Sequence, residues 1–169
     1  MLPHLKTSIN WAIKLRLDDA VYYRQLAFQF RSDPKTAERC FAYDSQVYLS
    51  TNTPSVTTVV HLFPPGPKEG SNAYRVVVGG RERNVWHFGE VRIWEVAVDE
   101  ILSGGAPGLL ALVPLMAGGD NIEAIDRAAT GIDDAIPKQG RADTRALLFY
   151  FARARAMARM CSPASSGRR

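Results

Sequence analysis

Ser55–Phe63 is the clearest strand in the chain, because VTTVVHLF is dominated by β-branched residues that suit a pleated surface. Val21, Tyr23, Leu26, Phe28 and Phe30 recur near every second position and predict another strand over Val21–Phe30. Arg31-Ser32-Asp33-Pro34 breaks it, since Pro34 brings no backbone donor and steers Asp33 away from helical angles. A helix over Lys35–Leu49 follows, with Asp33 as its N-cap. Its apolar stripe is Ala37, Cys40, Phe41, Val47 and Tyr48, interrupted by Asp44, and Asn52-Thr53-Pro54 ends it. Tyr74–Val78 and a run from Asn84 to Val96, broken near Gly89, read as strands joined through the Gly79-Gly80 turn into a hairpin. Before all of these, Ile9, Ala12, Ile13 and Leu17 lie at helical spacing and predict an amphipathic helix over Ser8–Leu17.

The C-terminal half is helical in pattern. Asp99–Leu102 predicts a short helix stopped by Gly104-Gly105 and Pro107. Leu109–Met116 is apolar on every side and belongs in a core whatever its conformation. Asp120 or Asn121 can cap a helix running through Ile136, on which Ile122, Ile125, Ala128, Ala129, Ile132 and Ile136 share a face. A last helix is expected over Ala142–Met160. Helix, strand, helix, strands, then helices is the order of an α/β domain with a mixed central sheet flanked by helices. Val21–Phe30, Ser55–Phe63, Tyr74–Val78 and Asn84–Val96 are expected to share that sheet. Residues 1–160 would make one domain, followed by a disordered basic tail over 161–169. Trp94 and Leu110, each in an apolar setting, belong to the expected core.

Composition narrows the function without choosing it. With 169 residues, 46% hydrophobic and 22% charged, the chain can bury a core of ordinary size. No apolar run approaches the roughly 20 residues of a membrane span, and no signal-peptide layout opens the chain. The expectation is a cytoplasmic protein without a membrane partner. Two cysteines, Cys40 and Cys161, make no disulfide framework, and the three histidines have no metal-ligand spacing. The net charge of +4 is compatible with nucleic acid. Basic residues cluster only late, at Arg141, Arg145, Arg153, Arg155 and Arg159, and a solvated helix and a phosphate-contacting face are both open readings there.

The stretch Ala27–Pro34 (AFQFRSDP) and the run Tyr74–Met116 resemble the recombination-promoting nuclease and transposase-like family, within the PD-(D/E)XK nuclease superfamily. The resemblance covers approximately Val21 to Ile136. Its most specific parts, Ile93-Trp94-Glu95 and Pro107-Gly108-Leu109-Leu110, are scaffold motifs. The family pattern has an aspartate at the start of one strand and Glu-x-Gln on the next, then Arg-Pro-Asp-Pro-like residues and a helix. Phe28-Gln29, Arg31, Asp33-Pro34, Arg39, Tyr43 and Tyr48 match it, but Ala27 stands where the glutamate belongs.

The resemblance implies a restriction-endonuclease-like fold and Mg²⁺- or Mn²⁺-dependent cleavage of DNA, in which the metal activates water and offsets phosphate charge. It implies Asp19 and Gln29 as catalytic residues, Asp18 and Asp19 as metal ligands, and Arg31 and Arg39 as DNA contacts. DNA is then the expected partner, and a homo-oligomer is allowed. Because a methyl group binds no metal, Ala27 implies an impaired enzyme, and the second reading is a non-catalytic DNA- or protein-binding remnant. The segment before the motif and the tail from about Arg155 also depart from the pattern, as in a degenerate copy. Several residues carry two readings. Gln29 is a core amide or a site remnant, Asp33 a helix cap or a ligand, and Glu38 a surface residue or a substitute carboxylate. Trp86, Phe88 and Trp94 read as strand core or as a base-stacking set.

Overall fold

The computed structural model describes residues 11–31, 33–64 and 72–161. They fall into two compact units that divide between Arg92 and Ile93.

In the first unit β1 (Trp11–Leu17) and β2 (Ala20–Gln29) pair antiparallel, from Leu17 opposite Ala20 to Trp11 opposite Leu26. This corrects the expected helix over Ser8–Leu17, whose first three residues lie outside the described ones. The two-residue Asp18-Asp19 turn returns the chain directly onto β2, and strand pairing satisfies backbone groups that a short isolated helix would satisfy only marginally. Asp18 takes a positive φ of 52°, which a short polar side chain tolerates. Ile13 and Leu17 stay exposed on β1, where Lys14 and Arg16 blunt a free sheet edge.

Helix α1 (Thr36–Thr51) then crosses over to β3 (Ser55–His61), which lies parallel to β2 with Tyr23 opposite Ser55 and Gln29 opposite His61. A third parallel strand, β6 (Gly89–Arg92), completes the mixed sheet in the order β1-β2-β3-β6. Gly89 sits close to the neighbouring strand, where a Cβ would stand 3.1 Å from Thr58 Oγ1 and oblige that side chain to shift.

The sheet does not include the hairpin. β4 (Ala73–Val78) and β5 (Arg81–His87) form a two-stranded antiparallel ribbon of their own, corrected from the single sheet expected above. The predicted Gly79-Gly80 turn is present, with φ of 60° and 72°. What separates ribbon from sheet is the break at Phe88-Gly89, which ends β5 and lets β6 join β3 in parallel register from Thr58 opposite Gly89. The ribbon packs on α1 through Phe41, stacked on Tyr74 at 4.9 Å and edge-on to Trp86 at 5.8 Å. The proline-rich loop beyond Pro64 lies outside the described residues.

The second unit begins with a single 3-10 turn, Ile93–Glu95, and continues through α2 (Val98–Ser103). A nine-residue 3-10 segment, Pro107–Leu115, α3 (Ile122–Ala135) and α4 (Lys138–Cys161) complete it. Leu110 to Met116 are all buried, as their composition requires, whereas Leu109 is partly open. Asn121 caps α3, its side chain accepting the Ala124 N–H at 2.9 Å. Ala124, Ala128, Ala129 and Ile132 are the buried face of α3, which packs against the 3-10 segment and α4, and Ile122 in the first turn of α3 is exposed. Ile93 is buried beside Trp94, which keeps part of its surface accessible. The expected basic tail lies outside the described residues except for Cys161, which closes α4. No helix among the described residues is long and apolar enough to cross a membrane.

Candidate functional site

Four residues of an α-helix rise about 6 Å, close to the roughly 6.6 Å covered by two residues of a strand. α1 uses this match against β2. Thr36 lies over Gln29, Cys40 over Ala27 and Asp44 over Gln25. Cross-strand partners share a face, so Thr57 extends the Gln25 row, Val59 and Glu90 the Ala27 row, and His61 and Arg92 the Gln29 row. These three rows make the inner face of the unit.

The deepest row is polar. Asp44, 1% exposed, collects five donors. Its Oδ1 accepts from Gln25 Nε2 at 3.0 Å, Ser55 Oγ at 2.8 Å and Thr57 Oγ1 at 2.9 Å. Its Oδ2 accepts from the Thr57 backbone N–H at 3.2 Å and the Trp86 indole N–H at 3.1 Å. Gln25 also donates to Ser55 Oγ at 3.0 Å. β6 pairs with β3 only from Thr58 onward, so the carboxylate supplies the acceptor that Thr57 would otherwise lack. Every lone-pair direction is in use, which makes this a structural carboxylate and assigns Trp86 a donor role.

The middle row is apolar at its centre, with Glu90 at its β6 end. Ala27 packs against Cys40, Val59 and Phe88, together with Ala37. Burial, followed by the nearby Asp44 charge, pushes the Cys40 thiol up to about 12. Cys40 is therefore a neutral core residue at physiological pH, as its position in the sequence suggested.

The outer row opens at the carboxyl ends of the parallel strands and the first turn of α1, the region where open α/β sheets bind ligands. Gln29 Nε2 donates to Thr36 Oγ1 at 2.7 Å, while Gln29 Oε1 is buried with no partner among the described residues. His61 Nε2 stands 3.4 Å from Glu90 Oε1. Asp33 accepts the Lys35 N–H at 2.9 Å and pairs with Arg39 at 2.6 Å. The Lys35 N–H, first, and the Arg39 charge and hydrogen bond hold the Asp33 carboxyl below its ordinary range, against the opposing effect of burial, which ranks after the Lys35 N–H. Asp33 thus acts in the turn that precedes α1, and Lys35 rather than Asp33 occupies the cap position.

The resemblance-derived residues do not converge. Gln29, Arg31, Asp33 and Arg39 gather at the outer row, but Asp18 and Asp19 sit in the β1–β2 turn at the opposite end of β2. Ten residues of strand put Asp19 roughly 30 Å from Gln29. Glu38 is exposed and off the inner row. The acids beside the outer row, Asp33 and the middle-row Glu90 that reaches His61, each already face a basic side chain. Among the described residues no three His, Cys, Asp or Glu side chains are placed to hold a metal ion. The donor set at Ala27 and Gln29 therefore does not fit Mg²⁺ or Mn²⁺, which take several oxygen ligands at once.

Gln25, Asp44, Ser55, Thr57, His61 and Glu90 were not recognised as a set in the sequence. The available signals were Asp44 breaking an apolar stripe and Ser55, Thr57, Val59 and His61 alternating along one strand face. In the second unit Arg141 and Arg145 face Asp133, and Arg155 and Arg159 face Asp120, so four of the five clustered arginines of α4 are paired within their own unit. No protein-family model, curated protein or solved structure matches the chain.

Proposed function

We propose that this chain is a DNA-binding protein of restriction-endonuclease-like ancestry that has lost metal-dependent cleavage. The observation that carries the reading is the enclosure of Ala27 by Cys40, Val59 and Phe88 while Asp18 and Asp19 stand at the other end of the strand. Cleavage needs carboxylates that converge, and here an apolar cluster occupies the point of convergence. Binding asks less. Arg31, Arg39, His61 and Arg92 surround the outer row beside the first turn of α1, and basic groups at such a position suit a phosphate backbone. The buried Gln29 Oε1, without a partner among the described residues, adds an acceptor for a donor group of a ligand.

The test combines binding with cleavage. Fluorescence anisotropy with a short duplex should show salt-dependent binding, and Arg31→Ala should lower affinity and reduce the log–log salt slope by about one. Plasmid incubated with the protein and Mg²⁺ or Mn²⁺ should stay supercoiled. Ala27→Glu should not restore nicking, and it should destabilise the fold by about 1 to 3 kcal/mol by forcing a carboxyl into an apolar cluster. Metal-dependent nicking by the unmodified chain, or the absence of any duplex affinity at low salt, would remove this reading.

A further inference from the structure

Helix α4 carries apolar residues on two opposite sides, one buried and one exposed and interrupted by two charges. Leu148 and Phe151 are buried within their own unit. At about 100° per residue, the other side carries Asp143, Ala146, Tyr150, Arg153, Met157 and Met160. Their alternating spacing of three and four residues is the seam of a coiled coil. Tyr150 is 58% exposed, Met157 51%, and Leu147 and Phe149 on the flanks are also half exposed. An apolar stripe of this length facing outward marks an interaction surface.

The two charges in the seam say what covers it. Asp143 and Arg153 are exposed, opposite in sign and ten residues apart, and neither has an ion-pair partner among the described residues. We propose that α4 pairs antiparallel with α4 of a second copy, about a two-fold axis at the level of Leu148. Residues equidistant from that level then meet, so each Asp143 faces Arg153 of the other copy. The same operation sets Tyr150 against Ala146, large against small, in the two layers between. Antiparallel pairs stack alternate seam positions in each layer, and these four residues obey that rule. The charge pattern is complementary to itself, which a seam built for an unrelated partner has no reason to be.

The experiment is sedimentation of the whole chain from low to high micromolar concentration, the range in which a small two-helix interface associates. A monomer–dimer equilibrium is expected. Asp143→Arg and Arg153→Asp should each weaken it by about tenfold, since each places like charges in two layers. The double variant, with the charges exchanged, should return to within about threefold of the original. Tyr150→Glu should abolish association and, at low micromolar concentration where the parent is monomeric, leave helical content and melting temperature unchanged. A chain that stays monomeric throughout, or a double variant no tighter than the single ones, overturns the proposal. So does a Tyr150→Glu protein that melts well below the parent, because the face is then covered by its own chain.

Discussion

The first unit buries a carboxylate, an amide and hydroxyls between its sheet and α1, whereas the second winds a continuous run of apolar side chains, Leu110 to Met116, into its centre. A carboxylate held by five directed hydrogen bonds stabilises one arrangement of α1, β2, β3 and the β4–β5 ribbon and penalises its neighbours strongly. An apolar segment is held by area and shape, so its cost for a small change is graded. The first kind of core is specific and brittle, and the second is tolerant.

The largest effect should come from removing the carboxylate. Asp44→Ala leaves four side chains and a backbone N–H without their acceptor, and chemical denaturation should register a loss of about 3 to 5 kcal/mol. A loss below about 1 kcal/mol would show that the network is incidental and would erase the contrast between the units. Next in size is Leu115→Ala, at a position with no solvent exposure, for which about 2 to 4 kcal/mol is expected. Leu115→Met should cost less than about 1.5 kcal/mol, the graded response that the polar core lacks.

The smallest effect concerns Asp33. Its folded carboxyl titrates below the ordinary value of 3.8, so its contribution is present above about pH 4 and is lost as pH falls through the lowered value. More than a third of the side chain is open to solvent, which limits the contribution to a few tenths of a kcal/mol. Asp33→Asn should flatten the stability profile below about pH 4 by that amount, and a larger change would place Asp33 among the structural carboxylates.

Legibility in the sequence followed the same division. α2, α3, α4 and the burial of Leu110 were readable because periodicity and apolar density report burial directly. Trp94 and Ile122 were exceptions, since position in a short turn or at a helix start decides exposure and periodicity does not. β2, β3 and α1 were readable as elements. The segment Trp11–Leu17 was not, because its mixed residues fit a helix as well as an exposed edge strand. Tyr74–Val78 and Asn84–Val96 were read as strands of one sheet, because the break at Phe88-Gly89, after which β6 pairs with β3, leaves no mark in the periodicity. The candidate site was legible only in part. Gln29, Arg31, Asp33 and Arg39 are neighbours along the chain and stay neighbours in the fold. Gln25, Asp44, Ser55, Thr57 and Trp86 come together across as many as 42 residues of sequence separation.

The Asp44 network also shapes how this chain can change over generations. Its two oxygens accept three and two hydrogen bonds and donate none, so even Asn at position 44 would turn an amide N–H₂ against donors. No single substitution of the carboxylate keeps its donors satisfied, and a route to an apolar centre must alter Gln25, Asp44, Ser55, Thr57 and Trp86 in concert. Intermediates along that route are each less stable than either end. Descendants of this sequence should therefore keep all five residues or replace them together, while Leu110 to Met116 drift among similar shapes.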